Sequence, residues 1–310
     1  MPIWEALPED LRGEFFCNAR SGWVLRGHGI RPRVGHPGRG TRLVVVAGHT
    51  DIQLSRRRRH VLVEHGAGQS YGDGHPGYSG GHDRDSVVLF LCPNEVVAER
   101  NRQAYPATPS EVVGSPRVEA LCAIERIRPG RPTVALSFHW PCRLSRECGW
   151  ALPHYEHELP VVVEGLRARG IEVIGHGHPR ARQHFAALWR TLGVEHVVDF
   201  DDVVAQADVY VADNSSTLFE WAALDRPVVV LNAPWYRRDL ELWPRFWACA
   251  GVGLQVEHPH QLLEDILRAA GDPYELRVAR LRAVSEVFPM VEGSAERAAH
   301  AIATAAASVP

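Results

Sequence analysis

Short β-branched runs separated by stretches with helical apolar spacing recur along the chain, and their alternation sets the expected fold. In the first half, strands are expected over 43–47, 60–64, 87–91 and 111–113, with a short one near 23–26 and a helix over 94–103 opened by Pro93-Asn94. In the second half, strands over 133–138, 171–174, 195–199, 208–212, 228–231 and 253–256 alternate with helices over 156–169, 181–192, 201–206 and 217–224. Three further helices are expected at 259–270, 275–287 and 295–306. Continuous apolar runs of this kind suit parallel strands buried on both faces, and their alternation with helices argues a doubly wound α/β fold. The two halves are joined by Ile127-Arg128-Pro129-Gly130-Arg131-Pro132, a hinge-like stretch. The expected arrangement is GT-B: two Rossmann-like domains facing each other across a cleft. Its parts are an acceptor-side domain over 1–130, a nucleotide-donor domain over 131–292, and a C-terminal helix over 293–310 that packs back on the first domain.

In open α/β sheets ligands gather at the carboxyl ends of strands, and this chain places polar residues there repeatedly. The strand at 208–212 stops at Asp213-Asn214-Ser215, and a helical run from Thr217 follows until Asp225-Arg226-Pro227 breaks it. Ser215 and Ser216 sit where backbone N–H groups lack helical partners, which favours an anion such as phosphate; plain helix capping by Asn214 or Ser215 is the alternative. Another strand ends in Gly175-His176-Gly177-His178-Pro179-Arg180, and another in His139-Trp140-Pro141. In the first half, Glu64-His65-Gly66 opens a glycine-rich loop, GAGQSYGDGHPGYSGGHDRD, that lets backbone approach a ligand. A histidine before such a loop is a candidate base, against the plainer alternative of a structural ring.

Composition narrows the chemistry. All 34 basic residues among 310 are arginine, so neither a Schiff-base nor a P-loop lysine is available. The net charge of −3 gives no general field for nucleic acid, and the arginine run at 56–59 reads as a solvated edge. Six cysteines without a C-x-x-C pair suggest neither a zinc ribbon nor a disulfide framework. No run approaches the ~18 apolar residues of a membrane span, so a cytoplasmic location is expected, with peripheral membrane contact left open. Asp199-Phe200-Asp201 resembles a metal-holding D-x-D but is read as a strand end with Asp201 capping the next helix. His154-Tyr155-Glu156-His157 lacks a third ligand, and no metal is expected.

Separated blocks then match one pattern. His65-Gly66 is similar to a W-H-G-T-P block, with Ala67-Gly68 in place of T-P. Ser115-Pro116-Arg117-Val118-Glu119-Ala120-Leu121 is similar to P-R-N-D-x-L, and His178-Pro179 to R-x-H-P with His176 at the arginine position. Asp213-Asn214-Ser215-Ser216 through Glu220 and Arg226-Pro227 is similar to D-Y-S-S-x-x-x-D-x-x-x-L-x-R-P, and Glu292 to Arg297 to D-G-x-A-S-E-R. Phe138-His139-Trp140 stands where the pattern has P-T-W. The chain resembles the CDP-glycerol glycerophosphotransferase family, the teichoic-acid polymerases and primases, over roughly residues 60–305. The resemblance implies that His65 is the base, that His178, Ser215 and Ser216 hold the donor's phosphates, and that Arg117 reaches the donor. Glu220 would lie near the transferred group, His139, His176, Arg180 and Asn214 would complete the donor set, and Gly66, Gly68 and Tyr71 would belong to the acceptor loop. The activity implied is metal-independent transfer of a glycerol-phosphate-like group from a CDP-activated donor such as CDP-glycerol to a hydroxyl of a glycan, polyol phosphate or nucleic acid. The alternatives are an inverting GT-B glycosyltransferase using a nucleotide sugar and a nucleotide-binding module without catalysis.

Overall fold

A computed structural model describes residues 2–17, 25–26, 29–38, 40–48, 51–52, 55, 57–64, 66–67, 78, 80–127, 130–141, 150–236 and 251–309. In chain order its strands are β1 (Phe16–Cys17), β2 (Arg33–Val34), β3 (Leu43–Val46), β4 (Arg59–Val63), β5 (Val87–Cys92), β6 (Ser110–Val112), β7 (Thr133–Phe138), β8 (Glu172–Gly177), β9 (Glu195–His196), β10 (Val209–Ala212), β11 (Val228–Leu231) and β12 (Leu254–Val256). The α-helices are α1 (Pro2–Ala6), α2 (Glu95–Ala104), α3 (Pro116–Cys122), α4 (Leu152–Tyr155), α5 (Leu159–Arg167), α6 (Arg182–Thr191), α7 (Phe200–Gln206), α8 (Thr217–Ala222), α9 (Leu262–Ala270), α10 (Tyr274–Val287) and α11 (Ser294–Ser308). They form two compact units, one from Met1–Gly68, Tyr78–Glu119 and Met290–Pro310, the other containing Ala120–Pro289.

The first unit holds a parallel sheet in sequential order, β3-β4-β5-β6. Side chains alternate across it, so Val61, Leu89 and Leu91 pack with Ala298, Ala299, Ala301 and Ile302 of α11. Phe90 and Cys92 face the other way, toward Tyr105 and Asn101 at the end of α2. Small alanines on α11 permit close approach to the sheet, and α1 packs beside that helix. Asn94 caps α2, its Oδ1 accepting from Val97 N at 2.9 Å. The strand expected near 23–26 falls largely outside the described residues, and its described end, 25–26, is helical.

Glu119 ties the C-terminal helix to this unit. Its carboxylate accepts from Gly293 N at 2.5 Å, Ala295 N at 2.8 Å and Ser294 Oγ at 3.1 Å, satisfying N–H groups that begin α11. Burial pushes its pKa up, but these hydrogen bonds outweigh burial and hold it below the usual glutamate value. A depressed folded-state pKa gives stability that is present above the unfolded value of ~4.3 and lost as pH falls through the folded value. Urea unfolding of Glu119→Gln is expected to show a loss of about 1 kcal/mol at pH 7 that shrinks toward zero on acidification.

The second unit is the doubly wound one. Its six parallel strands run β12-β11-β10-β7-β8-β9: the chain builds outward from β7 to β9, then returns to the opposite side of β7 with β10. The order reverses between β7 and β10, which is where an open α/β sheet opens a crevice for ligands. On one face Leu136, Phe138, Val209 and Val211 meet Phe185 and Trp189 of α6 and the apolar sides of α5 and α9. On the other, Tyr210 stacks on Trp221 of α8 with ring centroids 5.2 Å apart and meets Phe200 of α7 at 5.4 Å.

Local chemistry moved several boundaries. The helix expected over 156–169 is α5, which begins at Leu159 with Pro160 in its first turn, and a separate short helix, α4, precedes it with Pro153 likewise in its first turn, where a missing N–H is tolerated. The cap of α7 is Asp199 and not Asp201, since the helix already begins at Phe200 and Asp199 Oδ1 takes Asp201 N at 3.1 Å. The hinge-like stretch is tied into the second unit, where Ile127 N donates to Ala205 O at 2.9 Å and Arg126 pairs with Asp208. Arg280 of α10, 1% exposed, lies between Asp225 and Asp272, with Oδ1 atoms at 2.8 and 2.9 Å. Among the described residues no helix is long and apolar enough to cross a membrane.

Candidate functional site

Three adjacent strands bring the second unit's polar residues to one edge. Ala212 of β10 stands opposite Ser137 of β7, and Ser137 opposite His176 of β8, so their next residues emerge together at the carboxyl end. Asp213, fully buried, accepts from His139 N at 2.6 Å and Ala151 N at 2.8 Å, which joins the ends of β10 and β7 and the entry to α4. A buried carboxylate is tolerated because those N–H groups satisfy it.

Two histidines follow from these strand ends with opposite roles available to them. His178 Nδ1 accepts from Arg180 N at 3.2 Å, so its neutral ring carries the proton on Nε2, a donor. His139 Nδ1 lies 3.0 Å from Trp140 O, a bond that requires the proton on Nδ1 and leaves Nε2 an acceptor. The rings meet edge to face at 5.1 Å, and the Arg180 guanidinium stands 4.8 Å over the Trp140 ring. Close packing beneath holds His178 in place, because a Cβ on Gly177 would come within 2.3 Å of Phe185 and one on Gly175 within 2.2 Å of Trp189.

The serine pair lies at the start of α8. Ser215 Oγ accepts from Thr217 Oγ1 at 2.8 Å and from Thr217 N at 3.3 Å. A hydroxyl has two lone pairs and one proton; with both lone pairs used, Ser215 has only its proton to offer, which suits an anion. Ser216 occupies the N-cap position without a side-chain cap bond and is half-buried, as is Ser215. Because α8 has only six residues, its summed dipole is small, and the capacity to hold an anion rests on side-chain hydroxyl and ring N–H donors more than on the helix end. Asn214, 2% exposed, has neither Oδ1 nor Nδ2 in a hydrogen bond, an arrangement that costs about 1–3 kcal/mol per buried polar group. Glu220 is buried one turn along α8.

The neighbouring strand ends thus carry His139, His178 and Arg180, and the turn into α8 and the helix itself carry Asn214, Ser215, Ser216 and Glu220. His176 requires a correction. It is turned inward with 6% exposure, Nδ1–H donating to Val197 O at 2.9 Å and the ring 5.8 Å from Phe200. Burial, the largest cause, lowers its pKa despite the Val197 bond, and the ring is packed into the core instead of opening to the strand-end edge. Strand alternation accounts for this: His176 shares the face of Ser137 and Tyr210, under α7. Arg117 is exposed on α3 in the first unit, and Gly66 is half-buried there. His65, Gly68 and Tyr71 lie outside the described residues. Among the described residues no group of three or more His, Cys, Asp or Glu is placed to hold a metal ion.

Sequence reasoning passed over Tyr210, Thr217 and Ser137, and did not give Asp213 its connecting role. Tyr210 Oη lies 3.0 Å from Ser137 Oγ and 2.9 Å from Thr217 Oγ1. The signal was the third hydroxyl in Ser215-Ser216-Thr217 and the tyrosine two residues before the end of an otherwise aliphatic strand.

Residues 167–302 match the family model described as CDP-Glycerol:Poly(glycerophosphate) glycerophosphotransferase. No curated protein matches the chain by sequence. Among solved structures, the wall teichoic acid polymerase TagF is similar with TM-score 0.63 and 12% identity, over 89% of this chain and 78% of that one. A UDP-N-acetylglucosamine 2-epimerase is similar with TM-score 0.64 and 14% identity, over 99% and 92%. The S. aureus MnaA–UDP co-structure gives 0.61 and 12%, over 97% and 90%. At such identities the structural likenesses establish the fold, which is GT-B. Residues 167–302, which contain His178, the serine pair and Glu220, are thus the part of the chain similar to the CDP-glycerol glycerophosphotransferase family, in agreement with the motifs, and the enzyme class expected from them, a transferase, stands.

Proposed function

We propose that the protein transfers a glycerol-phosphate-like group from a CDP-activated donor to an acceptor hydroxyl. The observation that carries this reading is Ser215: an oxygen whose lone pairs are both engaged, at the switch-point edge of a sheet inside the family-matched segment. His178 Nε2–H, the Ser215 and Ser216 hydroxyls, and the Arg180 and Arg117 guanidiniums supply donors for the two phosphates. The unsatisfied Asn214 amide gains a partner when a ligand orders the site, and Glu220 meets hydroxyls of the transferred group. His139, an acceptor at Nε2, takes a hydroxyl or amino proton of the donor.

In the reaction the acceptor oxygen attacks the phosphorus bearing the glycerol. A P–O bond forms there, the bond to the bridging oxygen breaks, and CMP departs with that electron pair. His65 takes the hydroxyl proton, with Gly66, Gly68 and Tyr71 in the loop that receives the acceptor. The site's donors offset charge building on the departing phosphate. No metal is required in this scheme.

Identification of the released nucleotide tests it. With CDP-glycerol and a hydroxyl acceptor the expected product is CMP. Release of CDP from that donor would overturn phosphoryl transfer, and release of a nucleoside diphosphate from a nucleotide sugar in a parallel assay, without CMP from CDP-glycerol, would assign the protein to sugar transfer instead.

A further inference from the structure

We infer that Thr217 is a positioning residue of the donor site: its hydroxyl fixes the Ser215 proton toward the donor's diphosphate, and the Tyr210 phenol in turn fixes Thr217. The inference rests on the reading of Ser215 as a phosphate donor. Thr217 Oγ1 donates to Ser215 Oγ at 2.8 Å and lies 2.9 Å from Tyr210 Oη. Tyr210 cannot readily turn away. It is 1% exposed, stacked on Trp221 at an interplanar angle of 24°, and its oxygen lies 3.0 Å from Ser137 Oγ on the neighbouring strand. Threonine is stiff at χ1, so a phenol fixed on one side and a serine on the other leave its hydroxyl little freedom.

A lone serine hydroxyl rotates and serves as donor or acceptor as its neighbours demand. Ser215, accepting from Thr217 through both N–H and O–H, is restricted to donating. Such preorganisation lowers the ordering cost of binding, and a hydrogen bond to a charged group is the kind most sensitive to alignment. Removing the threonine hydroxyl leaves one Ser215 lone pair unfilled and its proton free to turn elsewhere.

Calorimetric titration of CDP into variants tests the inference. Thr217→Val, which keeps the shape, is expected to weaken CDP roughly threefold to tenfold, while Thr217→Ser stays within about twofold of the parent. Tyr210→Phe, which keeps the ring stack and removes only the phenol, gives a smaller loss in the same direction and serves if Thr217→Val does not fold. The diagnostic is the Ser215→Ala background, where Thr217→Val and Tyr210→Phe are expected to cause no further loss, because the group they orient is gone. If Ser215→Ala weakens binding while Thr217→Val and Tyr210→Phe do not, the positioning role is wrong and the phosphate role of Ser215 survives. Equal losses from Thr217→Val with and without Ser215 overturn it too, as does failure of Thr217→Ser to restore affinity. Unchanged affinity in Ser215→Ala overturns both readings.

Discussion

His65→Ala is expected to lower the rate of transfer by about 10² to 10⁴-fold and to leave the affinity for CDP-glycerol within about twofold of the parent. The asymmetry follows from the division of labour proposed above: the base meets the acceptor, and the donor is gripped by other groups, all but Arg117 in the second unit. Two observations describe the chain just before this position. Glu64, the preceding residue, accepts from Asn101 Nδ2 at 2.9 Å, which anchors the chain as it leaves β4. Arg84, 3% exposed, reaches Asn101 Oδ1 at 3.4 Å and stands 5.0 Å over the Tyr105 ring, so the anchor is itself braced. Initial rates and calorimetry on the same preparations check both halves. A rate within tenfold of the parent, or a collapse of donor affinity with the rate, removes His65 from this role.

The second large effect is on stability. Arg280→Met is expected to cost about 2–3 kcal/mol by urea unfolding, because the guanidinium is buried and both its carboxylate partners would be left behind. The value sits at or below the bottom of the range for buried ion pairs, since the Asp225 and Asp272 side chains are 34% and 32% exposed and water screens them in part. Asp225 and Asp272 have φ of 51° and 44°, a conformation most residues avoid and aspartate tolerates. Bonds from Arg280 to both carboxylates hold these turns, one closing α8 and the other opening α10. The Asp225 carboxyl has its pKa raised by burial and then lowered below the ordinary value by hydrogen bonds from Arg277 and Arg280, so the pair persists through neutral pH and weakens only in acid. Arg277 provides the contrast. It contacts the same Asp225 carboxylate but is 54% exposed, and Arg277→Met is expected to cost under ~1 kcal/mol.

The parallel strands were legible because burial on both faces leaves unbroken apolar runs, and β7 and β11 fall where Thr133–Phe138 and Val228–Leu231 place them. The strand-end location of His139, His178 and Ser215 was legible for the same reason: a strand's end is marked by the first polar residues after the run. Side-chain direction was not. His176 and His178 look alike in Gly175-His176-Gly177-His178, yet one lies within the strand and turns under α7 while the other follows the strand's end. Which residue lies opposite which across β7, β8 and β10 depends on register, and local sequence does not encode it. Tyr210 and Ser137 are 73 residues apart and meet only through that register. The role of Glu119 was hidden likewise, since its partners Gly293 and Ala295 lie 174 and 176 residues away.

The central claim is that the edge carrying Ser215 and Ser216 binds a nucleoside diphosphate by its phosphates. Calorimetric titration of CDP-glycerol into the parent and into Ser215→Ala/Ser216→Ala addresses it most directly. Loss of two hydrogen bonds to charged oxygens, each worth about 1.5–3 kcal/mol, predicts at least a hundredfold weaker binding with the apo-protein's thermal midpoint little changed. A double variant that binds CDP-glycerol as tightly as the parent would contradict the account.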